Sequence, residues 1–318
     1  MAIKILAYQH GIYPRSEEVV SATRGLDRGR VNSSDVEAAY QQDLRRWIEV
    51  QRQAHLDFFS DGLLRWQDIF RPLVEGIGQK PHTLVRWFDT NTFFREPEFS
   101  SSPVTATAAA LTQPAASLPG PAVVTLPSPF LFSRASRTNL DRNRLMVELA
   151  AALLRPAVRA AVSAGAQLIH LEEPWLAYYG IDPADWAPLR EALEALRGDS
   201  TATFVLHLYF GDAAPHLQRL AALPVDAVGV DLMETDVSAF SPDWEKGIVL
   251  GLVNGRRSTV ESSESLVQAA QHLADTARPN SLFLSSNCEL GYLPTTIAER
   301  KVQRLGEAAQ KVRQLVSV

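Results

Sequence analysis

The sequence predicts an α/β fold, a (β/α)8 TIM barrel with loop insertions. Three observations carry that reading. Short apolar runs alternate with amphipathic helical stretches along the chain, which implies parallel strands buried on both faces. With the opening run there are eight or nine such strands, the count of a closed barrel rather than of an open sheet. Polar residues stand where most of the runs stop, as they do at a barrel mouth. At 318 residues, a prior of roughly 150 residues per domain allows two domains. One barrel with insertions also fits, and residues 1–318 are read as a single barrel domain.

The first strand is the run Ile3–Tyr8, which has no signal-peptide flank. A helix is expected over Asp35–Phe59. Its Val36, Tyr40, Leu44, Trp47, Ile48 and Val50 recur near i, i+4, i+7 spacing, with Asp35 ahead of them as the N-cap. Further strands are expected at Leu84–Phe88, Val123–Leu126, Leu168–Leu171, Thr203–Tyr209, Ala227–Asp231, Ile248–Val253 and Leu282–Ser285. The helices between them are Leu140–Val162, Trp186–Leu196, Ala213–Ala222, Leu266–Ala277 and, at the end, Ile297–Val316. Pro156 should kink or break the first of these, because proline has no N–H to donate. Residues 90–120 read as a loop excursion within the barrel. Their Ser100–Gly120 portion is rich in Ser, Ala, Thr and Pro. No repeat of solenoid period is seen.

Composition narrows the function. Lys and Arg total 31 against 36 Asp and Glu, a formal net charge of −5. Phosphate backbones need clustered cations, so no nucleic-acid partner is expected. A small anionic substrate held by a local Arg or Lys stays open. No apolar run approaches the ~18 residues of a membrane span, so no membrane partner is expected. A single Cys leaves no internal disulfide and no multi-cysteine metal cage. A cytoplasmic enzyme is the expectation.

Candidate functional residues are those at strand ends. His10 ends the first run, and Asp57 and Asp61 flank the second candidate strand. Asp89 and Asn91 follow Val85–Phe88, and Ser128 follows Val123–Leu126. Glu172 and Glu173 close Leu168–Leu171. His207 and Tyr209 end Phe204–Leu206, and Asp231 ends Val228–Val230. Asn254, Arg256 and Arg257 follow Leu250–Val253. Cys288 and Glu289 follow Phe283–Ser286. The informative subset is His207, Asp231 and Cys288. An imidazole, a carboxylate and a thiolate on three strand ends form a zinc set that leaves one position for substrate. Against this, a lone Cys after an apolar strand is more often a small buried hydrophobe. His207 reads equally as a hydrogen-bonded core residue. Adjacent strand residues point to opposite faces, so one of Glu172 and Glu173 faces the mouth and the other the helices. The inward carboxylate suits an ammonium group, or else a salt bridge or helix cap. His170, Trp175, Tyr178 and Tyr179 read as packing or rim residues. The aromatics of Arg86–Asn91 suit stacking on a heterocycle, or a core strand followed by an Asx turn.

Six segments, in order along the chain, resemble the cobalamin-independent methionine synthase family. They are Gly11–Arg15 (GIYPR), Arg86–Asn91 (RWFDTN), Pro119–Pro121 (PGP), Leu171–Pro174 (LEEP), His207–Asp212 (HLYFGD) and Ser286–Leu290 (SNCEL). The resemblance implies a (β/α)8 barrel that transfers a methyl group to a thiol, homocysteine the first guess. It implies zinc held by His207, Asp231 and Cys288. In the family's catalytic barrel a second Cys ligand falls on Tyr209, and the Glu ligand falls on Asp231, with Glu234 the nearest substitute. The family's amino-group contact falls on Glu172, and a Ser contact falls on Ile12. Trp87, Asp89 and Asn91 are implied contacts of the methyl donor, of folate or methyl-cobamide type. The RWFDTN stretch and the Tyr-Phe after His207 look more like the family's N-terminal barrel, which supports folate binding without zinc. The alternative implied is therefore a non-catalytic, folate-binding partner of a second barrel subunit.

Overall fold

The apolar runs pair in parallel, as their alternation with helices demands. The computed structural model describes residues 3–79, 82–102, 117–242 and 244–316. In chain order its strands are β1 (Lys4–Ala7), β2 (Leu84–Arg86), β3 (Phe93–Arg95), β4 (Glu98–Phe99), β5 (Ala122–Pro127), β6 (Arg137–Thr138), β7 (Ala166–Glu172), β8 (Thr203–Leu208), β9 (Ala227–Asp231), β10 (Gly247–Val253) and β11 (Ser281–Ser286). Seven of them form one curled parallel sheet in the order β1-β11-β10-β9-β8-β7-β5. The eighth position is filled by a short extended segment. Asp57 N donates to Ala7 O at 2.8 Å on the β1 side, and Phe59 N donates to Pro121 O at 2.8 Å beside β5. Val123 N returns to Phe59 O at 2.9 Å. The fold is a (β/α)8 barrel closed by this segment.

The helices are α1 (Glu17–Asp27), α2 (Ser33–Gln53), α3 (Arg71–Gly76), α4 (Pro129–Ala135), α5 (Arg142–Leu149), α6 (Arg155–Ser163), α7 (Pro174–Tyr179), α8 (Trp186–Arg197), α9 (Leu217–Ala221), α10 (Ser263–Ala277) and α11 (Thr295–Val316). Helix α2 begins earlier and stops sooner than its periodicity suggests. Asn32 is the N-cap, and Asp35 is its partner in a capping box. At the other end His55 takes a left-handed φ of 51°. Its N–H reaches Arg52 O, and Leu56 N–H reaches Gln51 O, the Schellman pattern that ends a helix. That reversal frees residues 57–59 to become the closing segment. Pro156 acts as its missing N–H requires. The chain widens into a π turn over Ala150–Leu154, and Pro156 falls in the first turn of α6.

One expected barrel strand lies elsewhere. Leu84–Phe88 contributes only β2, which pairs antiparallel with β3 in a hairpin above the mouth. Leu84 is 59% exposed, so this run is not buried on both faces as a barrel strand must be. Of the 90–120 excursion, β3 and β4 are described, and β4 pairs with β6. Residues 103–116 lie outside the described residues.

The barrel interior is built by the two-residue period of the strands. A plug of Tyr8, Val123, Leu168, Val205, Ala227, Val249 and Phe283 fills its lower part. The intervening residues, such as Ile169, Leu206, Val228 and Leu282, join the larger core under the helices. Two residues beyond each plug position stand His10, Thr125, His170, His207, Gly229, Gly251 and Ser285. The apolar plug is therefore roofed by a polar layer at the C-terminal end of the sheet, where barrel enzymes carry their chemistry.

Candidate active site

Three imidazoles meet in that polar layer. The rings of His10 and His170 stack with centroids 3.9 Å apart. His207 meets them at 4.8 and 5.1 Å. All three are fully buried or nearly so. One nitrogen from each lies within 4.8 Å of the others. Gly229 on β9 makes the room: a Cβ there would stand 2.6 Å from the His207 ring. Gly229→Ala should therefore push His207 off its position and lower stability by about 2–3 kcal/mol, read by denaturant unfolding. Wild-type stability in that variant would show that the ring yields freely.

The hydrogen bonds around the cluster are specific. Tyr8 OH contacts His170 Nδ1 at 2.8 Å and orients that ring. His10 is held on both sides, Nε2 by Ser286 O at 3.1 Å and Nδ1 by Glu172 Oε1 at 2.7 Å. The Ser286 carbonyl can only accept, so Nε2 carries a hydrogen. A 2.7 Å contact between Nδ1 and Glu172 then needs one more proton between them. His170 Nε2, both His207 nitrogens and Glu172 Oε2 have no hydrogen-bond partner. A buried polar atom left unpaired costs about 1–3 kcal/mol. Unpaired nitrogens on two adjoining imidazoles, beside an unpaired carboxylate oxygen, are the mark of a site that expects a ligand. Burial, with the neighbouring His10 second, pushes His170 and His207 well below the usual imidazole range. A weak pull from the backbone of Val230 opposes this at His207. Both rings are therefore neutral, with lone pairs available to a metal. The donor set fits a divalent transition metal that takes imidazole ligands.

The three residues that the sequence grouped have different surroundings. His207 sits in the imidazole cluster. Asp231 ends β9, and its oxygens accept from Met233 N at 2.8 Å, Asn287 Nδ2 at 3.0 Å and Phe210 N at 3.3 Å. Cys288 is fully buried in the hydrophobic core, and a Cβ on Gly255 would stand 2.8 Å from its sulfur. Burial, and then the charge of Asp231, push its thiol well above the ordinary range. Among the described residues the group of three or more potential metal donors is His10, His170 and His207. His170, read from sequence as packing, is part of it. Its signal was available, since it stands two residues before Glu172 and shares that residue's face.

Glu172 and Glu173 divide as their adjacency requires. Glu172 faces inward beside His10. Glu173 faces the helices, where it caps α7 through Leu176 N at 2.9 Å and accepts from Leu131 N at 3.1 Å and from Ser128 Oγ. Tyr209 is buried against Glu172 and His207, and burial raises its phenol well above the usual range. Trp87 and Tyr209 line a cavity of ≈ 120 Å³ at the mouth, together with Ile12, Arg15, Glu289 and Tyr292. Asp89 and Asn91 belong to the rim. Arg256 donates to Asp89 at 3.1 and 3.3 Å and to Glu234 at 3.1 Å, while Arg86 reaches Asn91 at 3.3 Å. The Arg256 guanidinium also lies 4.9 Å from the Phe210 ring centroid. It thus ties the β2–β3 hairpin to the loops after β8, β9 and β10.

A closed parallel barrel with unpaired imidazoles and a carboxylate at its C-terminal end defines the class, a (β/α)8-barrel enzyme domain. The family follows from comparison. The family model described as "Cobalamin-independent synthase, Catalytic domain" matches residues 8–311, and the chain belongs to that family. A 5-methyltetrahydropteroyltriglutamate–homocysteine methyltransferase of Neisseria meningitidis serogroup C is 28% identical over 221 residues, which cover 66% of this chain and 28% of that protein. The chain thus matches little more than a quarter of that relative's length. A methionine synthase of Sulfolobus acidocaldarius is 23% identical over 315 residues, covering 96% of this chain and 91% of that one. The solved structure of a B12-independent methionine synthase from Shewanella sp. W3-18-1, in complex with selenomethionine, superposes with a TM-score of 0.78. It is 15% identical and covers 100% of both chains. No helix among the described residues is long and apolar enough to cross a membrane.

Proposed function

We propose that this protein transfers a methyl group to the sulfur of a small-molecule thiol, with homocysteine the first acceptor and a methyl-folate the first donor. The observation that carries the reading is the convergence of three buried imidazoles, two of them (His170 and His207) with unpaired nitrogens, at the barrel mouth of a chain in this family. We assign zinc to the cluster of His10, His170 and His207, with His10 giving up its present contact with Ser286 O to the metal, in preference to a set of His207, Asp231 and Cys288. The preference rests on the hydrogen bonds that occupy Asp231 and on the packing that encloses Cys288. Zinc bound there would supply positive charge that favours the thiolate over the thiol.

The remaining roles belong to the chain. Tyr8 fixes the His170 ring, so that Nε2 faces the centre. Glu172 Oε2, the free carboxylate oxygen in the layer, is the acceptor for the thiol proton. Its Oε1 stays on His10, which keeps the carboxylate oriented. Trp87 and Tyr209 bound the cavity above and exclude water from the sulfur. The methyl carbon then loses its bond to the donor nitrogen and gains one to sulfur.

Zinc-loaded protein is tested with L-homocysteine and 5-methyltetrahydrofolate, as mono- and triglutamate, and methionine is quantified. Methyl-cobamide and other thiols complete the panel. Methionine formation that stops in Glu172→Gln is the expected result. A zinc-loaded protein that methylates no thiol from any donor would overturn the reading. Activity appearing only when a separate barrel subunit is added would favour the non-catalytic partner role, which Tyr209 in place of a Cys ligand suggests.

A further inference from the structure

The mouth cavity carries more recognition chemistry than methyl transfer requires. Three charged residues line it: Arg15, Asp68 and Glu289. Asp68 is spent, its oxygens accepting from Phe70 N at 2.9 Å, Arg71 N at 2.8 Å and Arg95 N at 3.1 Å. Arg15 has no hydrogen bond or ion pair among the described residues. Glu289 is fixed in place by Tyr292 OH at 2.5 Å and, more loosely, by Ile12 N at 3.3 Å. Both donors leave lone pairs on its oxygens. One free cation and one anchored carboxylate therefore face the same ≈ 120 Å³ of space. Glu172, the carboxylate the family resemblance would give to an ammonium group, is already held by His10 at 2.7 Å.

We propose that Arg15 and Glu289 form a clamp for a zwitterionic α-amino acid, Arg15 taking the α-carboxylate and Glu289 the α-ammonium. Guanidinium and carboxylate pair in a fork geometry, and an anchored carboxylate is a ready acceptor for an ammonium. Tyr209 lines the cavity and also contacts His207, with ring centroids 5.9 Å apart. A ligand held by its two charges thus points its side chain past Tyr209 toward the imidazoles. Ile12 cannot contribute a side-chain hydrogen bond, and its N–H is committed to Glu289. The clamp rests on the reading of the site as a thiol methyltransferase only for the identity of the side chain, not for the two charged ends.

Calorimetric binding separates the two ideas. The probes are L-homocysteine, 4-mercaptobutanoate, which lacks the ammonium, and 3-mercaptopropylamine, which lacks the carboxylate. The parent should bind L-homocysteine roughly tenfold or more tighter than either truncated thiol, because a site built for a charged group is left unpaired without it. Glu289→Gln should erase the advantage over 4-mercaptobutanoate, and Arg15→Gln the advantage over 3-mercaptopropylamine. Tyr292→Phe, which only loosens Glu289, should weaken binding of the two ammonium-bearing probes and spare 4-mercaptobutanoate. It guards against a misfolded Glu289 variant. A parent that binds none of the three, or binds them equally, overturns the clamp, and so do variants that keep full discrimination. Crossed discrimination without methyl transfer would leave the clamp standing and remove the proposed reaction. Methyl transfer without discrimination would do the reverse.

Discussion

His170→Ala is expected to lower the zinc affinity of the purified protein by roughly 100-fold or more, since even an outer-shell partner of a metal is worth about 10–100-fold. His207→Ala should do the same. Neither His207 nitrogen has a hydrogen-bond partner, so its removal deletes a donor and frees no trapped group. Tyr8→Phe keeps all three imidazoles and loses only the contact that orients His170. It should weaken zinc by about 10-fold. The discriminating variant is Cys288→Ser. If the imidazoles hold the metal, the protein keeps its zinc when this thiol is lost. If the set is His207, Asp231 and Cys288, the zinc goes with it. Metal content by plasma mass spectrometry, with competition against a chromophoric chelator, reads all four. Zinc retained in His170→Ala and lost in Cys288→Ser would overturn the imidazole assignment.

Glu173→Ala should destabilise the protein by about 3–5 kcal/mol. Its carboxylate is fully buried and ties α4 and α7 to the end of β7. Truncation would leave Leu176 N and Ser128 Oγ without their acceptor, and Leu131 N with Ser128 Oγ alone. Glu173→Gln keeps the shape and tests the charge. Burial pushes this carboxyl from its ordinary 4.5 up to about 7, against the three donors that pull it down. The native state therefore binds the proton more tightly than the unfolded chain. The stabilisation from this group is complete below pH 4.5 and fades as the pH rises to 7. Over that window the parent should lose on the order of 3 kcal/mol relative to Glu173→Gln. Glu289 shifts in the same direction to about 7, so the difference between parent and variant is the quantity to measure. A difference that stays flat across the window would mean that the three donors keep Glu173 ionised.

Much of this fold was legible because a parallel barrel writes itself in periods. The apolar runs of β5 and β7 to β11 were readable as strands, each buried on both faces. The same two-residue period assigned Glu172 and Glu173 to opposite sides. The closing segment 57–59 was marked only by Asp57 and Asp61, read as flanking a second candidate strand, since three extended residues at the end of a strongly periodic helix carry no pattern of their own. What betrays it is the left-handed His55, a conformation that no sequence period records. Leu84–Phe88 misled for the converse reason. A short apolar run looks alike whether it is buried in a barrel or pairs in an exposed hairpin.

The chemistry divides along the same line. His207, Glu172 and the mouth position of Tyr209 could be named from the strand ends on which they sit. His10 and His170 could not be joined to them, because 160 and more residues separate His10 from both partners. Only the curl of the sheet, which carries the end of β1 across to β7 and β8, brings the rings together. Asp231 and Cys288 had the right chemistry for zinc. Spacing does not reveal their neighbours, the backbone amides on Asp231 and the close approach of Gly255 to the thiol. By itself the sequence determined the parallel barrel, its inward and outward faces and the strand ends that bear polar groups, since these follow from local period and burial. The tertiary structure alone decided which of those groups meet, because closure of the sheet brings together side chains that the chain keeps far apart.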